Sequence, residues 1–129
     1  MNNLVTSGSV SRIPITIDIV NKGSSSAELK RHLSPLSVRM IINCLPLQGR
    51  VYKIIDSITY IETSIVIGAE KQKKEFKRGE IAFMTSNNSI CIFTKDAISK
   101  PMNPLGIVKS NLELIEFTQA GDIIVLKKL

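Results

Sequence analysis

One histidine and two cysteines are the residues of this chain best suited to nucleophilic or metal chemistry. Any Ser-His-Asp or Cys-His relay would have to use His32, because the chain has no other histidine. His32 lies between Arg31 and Leu33 in a basic segment, where a solvated histidine is the simpler interpretation. His32, Cys44 and Cys91 do not have the spacing of zinc ligands, and the chain lacks a glycine-rich phosphate loop. The sequence therefore predicts no catalytic residue, no metal site and no cofactor.

A basic run over residues 70–78, EKQKKEFKR, is the candidate for a nucleic-acid surface. The whole chain carries 17 Lys and Arg against 11 Asp and Glu, a net charge of +6. Proteins that bind single strands place stacking aromatic side chains beside such charge. Phe76 is the only aromatic residue of this run, and Glu70, Glu75 and the nearby Glu80 dilute its charge. We therefore interpret the run as a solvated connector, and a basic nucleic-acid-binding barrel is the second alternative function.

Residues 79–94, GEIAFMTSNNSICIFT, predict two apolar strands joined by a polar turn. Both strands carry apolar side chains at consecutive positions, and consecutive side chains on a strand point to opposite faces. Both faces must then be covered, one by the core and the other by a helix or by a ligand. Phe83, Met84 and Phe93 are candidates for the lining of a ligand groove, because the neighbours Phe83 and Met84 cannot both point inward on a regular strand.

The elements that position this hairpin are mostly short strands separated by turns. Alternating isoleucines predict a strand over residues 13–20, and a capping-box pattern predicts a short helix over residues 26–33. Residues 95–104, which contain two prolines, are expected to form a loop, and a helical turn is predicted over residues 112–117. Further strands are expected at residues 38–44, 51–55, 64–69, 105–109 and 123–126, with an extended or irregular segment at 57–62. This order predicts a mainly β protein, a closed antiparallel β-barrel with one or two short helices.

Length and composition fit one cytoplasmic domain. The chain has 129 residues, of which 43% are hydrophobic and 22% are charged, as in an ordinary folded domain. Two cysteines in a chain of this length are not a disulfide framework. No apolar run approaches the roughly 20 residues needed to span a bilayer, and the first residues lack the pattern of a signal peptide. We expect a flexible leader at residues 1–12, a single domain at residues 13–129, and no membrane partner.

Five short segments occur in an order similar to that of a known family. They are ELKRHL at 28–33, GEIAF at 79–83, ICIF at 90–93, NPLGIV at 103–108 and AGD at 120–122. The order resembles the cyclophilin-like family of small, mostly uncharacterised prokaryotic proteins, and the resemblance covers about residues 13–129. It implies the cyclophilin barrel without most of the active-site sequence of true prolyl isomerases. The chain departs from the family at the hairpin tip, where the usual Trp-Pro and Gly are absent.

The resemblance also implies a ligand site on the outer face of the barrel. True cyclophilins bind a proline-containing peptide there, where an arginine polarises the amide and a glutamine helps to orient it. The placement of Arg39 and Gln48 is similar to this pattern, but the spacing between them is one residue too long. A shift of one residue reverses the face to which a strand side chain points.

We therefore expect Arg39, Gln48, Phe83, Met84 and Phe93 to contribute to a groove that binds a peptide segment or a small molecule without strong catalysis. A peptidyl-prolyl cis-trans isomerase that uses Arg39 is the first alternative. The sequence leaves the identity of the ligand and the oligomeric state open.

Overall fold

The computed structural model describes residues 11–129, which form ten strands and two helices. The helices are α1 (Pro35–Cys44) and α2 (Leu112–Glu116). Neither of these two helices is long and apolar enough to cross a membrane. The leader predicted at residues 1–12 lies almost entirely outside the described residues. The strands are β1 (Arg12–Ile19), β2 (Gly23–Lys30), β3 (Leu47–Arg50), β4 (Tyr52–Ile54), β5 (Ile58–Glu62), β6 (Lys73–Phe76), β7 (Glu80–Met84), β8 (Ser89–Phe93), β9 (Ala97–Ser110) and β10 (Ile123–Lys128).

The strands form an antiparallel sheet that is not closed into a barrel. Hydrogen-bonded neighbours follow the order β3-β10-β1-β2-β9-β7-β8-β5-β4, and β6 pairs separately with β9. The terminal strands β3 and β4 are separated in the chain only by Val51, and no ladder joins them within residues 11–129. The backbone N–H of Val51 donates to Asp122, and its carbonyl accepts from Gly121, so the chain stays bonded to the segment before β10 until it enters β4. The prediction of a closed barrel is therefore wrong, whereas an antiparallel, mainly β fold with two short helices is confirmed.

The segment predicted as a helix at residues 26–33 belongs largely to β2, which forms a hairpin with β1. The inward side chains of β2 are Ser25, Ala27 and Leu29. Two of these three are small and only weakly apolar, so the sequence lacks the clear alternation of apolar and polar residues that indicates a half-buried strand. Asn21 and Gly23 adopt positive φ values of 68° and 136° and form the turn between the two strands.

The segment predicted as a strand at residues 38–44 belongs to α1. Its valine and isoleucines favour a strand by intrinsic preference. Pro35, however, occupies the first turn of the helix, where a missing N–H costs nothing. Val38 and Ile41 lie three residues apart on the buried face of α1, which is a helical period.

The carboxylate of Glu70 holds the N-terminus of α1. Its oxygens accept hydrogen bonds from the backbone N–H of Leu36 at 3.0 Å, and from the backbone N–H and the hydroxyl of Ser37 at 2.8 and 2.7 Å. The side chain of Asn103 in β9 accepts from the Glu70 N–H at 2.9 Å and donates to Ser37 Oγ at 3.0 Å. Burial raises the pKa of the Glu70 carboxyl, but the hydrogen bonds from Leu36 and Ser37 outweigh burial and hold this pKa below its usual value. This network anchors α1 to β9.

The predicted loop at residues 95–104 is the first part of β9, a strand of 14 residues that includes two prolines. Along its length β9 pairs first with β6, then with β7 and finally with β2. Pro104 lies opposite Ala82, where the register of the β7 ladder shifts. Proline is tolerated at such irregular positions because no regular ladder donor is lost there.

Three other strand predictions differ from the structure in smaller ways. Residues 51–55 contribute the short strand β4, and residues 57–62 contain the regular strand β5. Residues 64–69, which were expected to form a strand, lie outside the sheet. Ile65 and Ile67 are buried there and alternate with the exposed Val66, so this segment has the side-chain period of a strand without a ladder partner.

The predicted hairpin of residues 79–94 is present as β7 and β8, and it separates two hydrophobic clusters. One cluster, which we call the main core, receives Ile81, Phe83, Ile90 and Ile92 from this hairpin and further side chains from β1, β2, β5, β9, β10 and both helices. We call the second the outer cluster. It consists of Ile58, Phe76, Ala82, Met84, Cys91, Phe93 and Met102. The expectation that both faces of the hairpin are covered is confirmed.

Candidate functional site

Two strand segments, and not a helix, cover part of the outer cluster. Phe76 of β6 stacks on Phe93 of β8, with the ring centroids 4.5 Å apart and the ring planes inclined by 13°. The ammonium group of Lys73 lies 4.8 Å from the centroid of the Phe76 ring. β6 is held in place by its ladder with the first part of β9. Beside this cover, the outer cluster opens into a groove.

The groove has a volume of about 550 Å³. Its most buried lining residues are Ile58, Met84 and Met102, which form the floor and are 5%, 5% and 1% exposed. Two isoleucines at its edge, Ile55 and Ile98, are 87% and 79% exposed. Volumes of roughly 300–1,000 Å³ are typical of small-molecule sites. The remaining lining residues are Ile54, Ser57, Ser86, Asn87, Ala97, Ser99 and Lys100.

Ile55 has a backbone conformation that is rare for its residue type. Its φ is 53°, in the left-handed region, where the Cβ of an L-residue crowds the following carbonyl oxygen. For a β-branched residue this conformation is a true outlier. Because the side chain is also exposed, packing in the main core does not explain it. Ile55 lies in the turn that joins β4 to β5, at the edge of the groove, and strained residues of this kind are frequent at ligand sites.

Lys100 is the only charged residue among those that line the groove. Its side chain takes part in none of the ion pairs found in residues 11–129. Asp56, next to the lining residue Ile55 in the chain, is instead paired with Lys95. The hydrogen bond from Lys95, and then its positive charge, lower the pKa of Asp56. Among the described residues, those that line the groove therefore include one unpaired ammonium group and no carboxylate.

The five residues predicted to line a groove do not share one surface. Met84 lines the groove, and Phe93 lies in the outer cluster, stacked on Phe76. Phe83 is buried in the main core, on the opposite face of β7. Arg39 is exposed on α1 and Gln48 is exposed on β3, and neither lines the groove. Of the five, the structure brings together only Met84 and Phe93.

Sequence reasoning missed most of the groove. Ile98 and Met102 were not predicted to line a groove, because the prolines of residues 95–104 argue against a strand and led to the prediction of a loop. The only signal for these two residues is an isoleucine and a methionine in a segment that otherwise suits a loop. Nothing in the sequence marks Ile55, since a left-handed conformation at an isoleucine runs against its intrinsic preference.

The histidine and the two cysteines do not line the groove. His32 and Cys44 are exposed elsewhere. Cys91 is buried in the outer cluster, and burial raises the pKa of its thiol to about 12. Within residues 11–129, no three His, Cys, Asp or Glu side chains are grouped as ligands of a metal ion. The groove lining itself offers apolar contacts, small polar side chains and one ammonium group.

Comparison with known proteins relates both the sequence and the fold to other chains. A family model described as cyclophilin-like matches residues 12–127. The solution structure of the hypothetical protein AF2241 from Archaeoglobus fulgidus is similar, with a TM-score of 0.77 and 20% identity over 92% of this chain and 96% of that chain. The structure of McbB in complex with tryptophan gives a TM-score of 0.71 and 14% identity over 88% of this chain and 44% of that chain, so this chain spans less than half of McbB. No curated protein matches the sequence significantly.

Proposed function

Because this chain belongs to the cyclophilin-like family, as the order of its sequence segments indicated, we propose that it binds a peptide segment or a small molecule on its outer face, without strong catalysis. The observation that supports the proposal is the groove beside β6, whose floor is apolar and whose edge carries two exposed isoleucines. An apolar concavity with a few polar groups at its rim is the usual form of a small-molecule site.

The affinity of the groove for an apolar ligand can be estimated from the two exposed isoleucines at its edge. Complete burial of one isoleucine side chain contributes about 1.5–3 kcal/mol. A ligand that covers both Ile55 and Ile98 would therefore gain about 3–6 kcal/mol in addition to its contacts with the floor. Association opposes this gain with a cost of about 4–15 kcal/mol for lost freedom of motion. The gain at the edge alone does not exceed this cost, so contacts with the floor must supply the remainder, and we expect weak binding, with dissociation constants no lower than the micromolar range.

The methionines of the chain allow a direct test of where ligands bind. Met84 and Met102 lie in the floor of the groove, whereas Met40 lies partly exposed on α1 and does not line it. We propose to label the methionine methyl groups with carbon-13 and to follow their NMR signals during titration with mixtures of apolar fragments and short apolar peptides. Ligands of the groove are expected to shift the signals of Met84 and Met102 and to leave the signal of Met40 unchanged.

A matched pair of substitutions separates the groove from apolar surface in general. Ile98→Ser removes an exposed isoleucine of the groove, and Val66→Ser removes a valine that is similarly exposed, at 73%, but does not line the groove. We expect Ile98→Ser to weaken binding several-fold and Val66→Ser to have no effect. Equal effects of the two substitutions, or shifts at Met40 as large as those at the floor, would count against the groove.

The geometry does not favour the two alternative functions. Arg39 and Gln48 do not line the groove, so an isomerase that used Arg39 would have to bind its substrate on a different surface. Prolyl isomerase activity through Arg39 stays a prediction, which a protease-coupled assay of the wild type and Arg39→Ala can test. In the basic run, Lys73 is paired with Glu80 and Arg78 with Glu116, which reduces the charge available to a nucleic acid.

A further inference from the structure

We infer that the groove selects a small amphipathic carboxylate, with its apolar body over Ile58, Met84 and Met102 and its carboxylate at Lys100. This inference rests on the proposed function, because it names the chemical class of ligand for the same groove. It starts from the sign of the charge at the groove edge. Lys100 is the one charged lining residue, it is exposed, and it has no ion-pair partner within the described residues.

None of the residues that line the groove carries a carboxylate to compensate this charge. Glu75, opposite the lining residue Ile98 in the β6–β9 ladder, is exposed and lies outside the lining. Two carboxylates, those of Asp56 and Asp96, are adjacent to lining residues in the chain. Lys95 already holds Asp56 in an ion pair, and Asp96 accepts a hydrogen bond from the backbone N–H of Arg78. A cationic ligand would therefore meet a like charge and find no free carboxylate among the lining residues. A neutral ligand would use the apolar floor but would leave Lys100 without a partner. An anion with an apolar body satisfies both features at once.

The size and the polar groups of the groove favour a small molecule as the occupant. A volume of about 550 Å³ suits a molecule of the size of a drug or a medium-chain acid. Apart from Lys100, the polar side chains of the lining are those of Ser57, Ser86, Asn87 and Ser99, which are short. They can bind a compact polar head close to the wall, while methionine side chains adapt to apolar bodies of different shapes.

The test compares three probes that share one apolar chain and differ in the head group: decanoate, 1-decanol and decyltrimethylammonium, each below its aggregation concentration. Binding is measured from the methyl signals of Met84 and Met102. An exposed ion pair changes an affinity up to about fivefold, so decanoate is expected to bind up to about fivefold more tightly than decanol. Decyltrimethylammonium is expected to bind most weakly. The advantage of decanoate should decrease with added salt.

Two charge substitutions on β9 provide the matched comparison. Lys100→Glu replaces the attraction by repulsion and is expected to weaken decanoate about tenfold, while decanol is unaffected. Lys109→Glu changes an exposed lysine of the same strand that does not line the groove, and it should leave both affinities unchanged. Lys100→Gln, which removes the charge without adding the opposite one, is expected to give an intermediate loss.

The outcomes separate this inference from the proposed function. Equal affinities for decanoate and decanol, or equal effects of Lys100→Glu and Lys109→Glu, overturn the inference and leave binding in the groove intact. A neutral apolar peptide that binds more tightly than decanoate, and is unaffected by Lys100→Glu, also overturns it. If none of the three probes, and no fragment or peptide, shifts the signals of Met84 and Met102, the proposed function fails as well.

Discussion

Replacement of Glu70 by glutamine tests how much of the fold depends on the link between α1 and β9. The carboxylate of Glu70 accepts three hydrogen bonds from Leu36 and Ser37 at the N-terminus of α1. Glutamine has nearly the same shape, but one of its two terminal atoms is a donor. In Glu70→Gln, at least one N–H or hydroxyl group of α1 therefore loses its acceptor. The negative charge that interacts favourably with the helix N-terminus is lost as well.

The size of the effect follows from these two losses. A hydrogen bond to a charged group contributes about 1.5–3 kcal/mol, and a charge at a helix terminus about 0.3–1 kcal/mol. The amide oxygen of glutamine recovers part of the first contribution. We expect a decrease of about 2 kcal/mol in the free energy of unfolding at neutral pH, which for a chain of this size lowers Tm by roughly 8 °C.

The pH dependence of this difference has a definite sign. The pKa of Glu70 is lower in the folded protein than its usual value of 4.5, so the unfolded chain binds more protons around that pH. The stabilisation by the charged carboxylate is therefore complete above pH 4.5 and is lost as the pH falls through the lower, folded-state pKa. The difference in stability between wild type and Glu70→Gln should be largest at neutral pH and should narrow in acid.

Urea unfolding followed by circular dichroism, at neutral pH and at about pH 3, measures both quantities. Glu75→Gln is the matched control, because Glu75 is exposed on β6 and the structure gives its side chain no hydrogen bond or ion pair with the described residues. We expect this control to change stability by less than about 0.5 kcal/mol. The reasoning is refuted if Glu70→Gln is as stable as the control, or if its deficit is the same at both pH values.

Three further predictions concern the close contact of two strands, the strained isoleucine and the two thiols. Gly106→Ala should destabilise the fold by at least about 2 kcal/mol in urea unfolding, because a Cβ at Gly106 would overlap the backbone carbonyl of Glu28. Ile55→Asn should raise the free energy of unfolding by about 1 kcal/mol, because asparagine tolerates the left-handed conformation, and it should weaken binding in the groove. Iodoacetamide at about pH 8 should modify the exposed Cys44 and spare the buried Cys91, whose thiol has a pKa raised to about 12, so mass spectrometry should detect one adduct before unfolding and two after it.

Each of these predictions has a control in the same chain. Gly68→Ala should be close to neutral, since a Cβ there would meet no heavy atom within 4 Å. A loss as large as that of Gly106→Ala would show that glycine itself, and not the strand contact, determines stability. Val66→Asn changes an exposed β-branched residue without a positive φ and should bring no gain. Rapid double modification of the folded protein would mean that the outer cluster opens far more often than its packing implies.

The hairpin of residues 79–94 and strand β1 could be predicted because their patterns are local. In β1, isoleucines at alternate positions face the main core, and in β7 and β8 nearly every residue is buried. Such patterns need no knowledge of the partner strands. The family resemblance could also be recognised, because it depends on the order of segments and not on their individual conformations.

The exchange of helix and strand between residues 26–33 and 38–44 shows where local patterns fail. The secondary structure of both segments depends on contacts with residues that are distant in the chain. β2 is a strand because it lies between β1 and β9, despite serines at its start. α1 is a helix whose N-terminus is held by Glu70, a residue well beyond its end in sequence. The groove was missed for the same reason, since its lining comes from residues 54–58, 84–87 and 97–102, which meet only in the folded structure.

Strand β9 is long enough to reach from the groove to the main core, and hydrogen exchange can detect this connection. Its first residues form a wall of the groove, and its last residues pair with β2 at the edge of the main core. Backbone amides open in cooperative units that often coincide with contiguous structural elements. Occupancy of the groove would therefore slow the exchange of amides near Val108, far along the same strand, by the mass-action stabilisation of the bound state. The amides at the far end of β9 would then report ligand binding without any label at the groove itself.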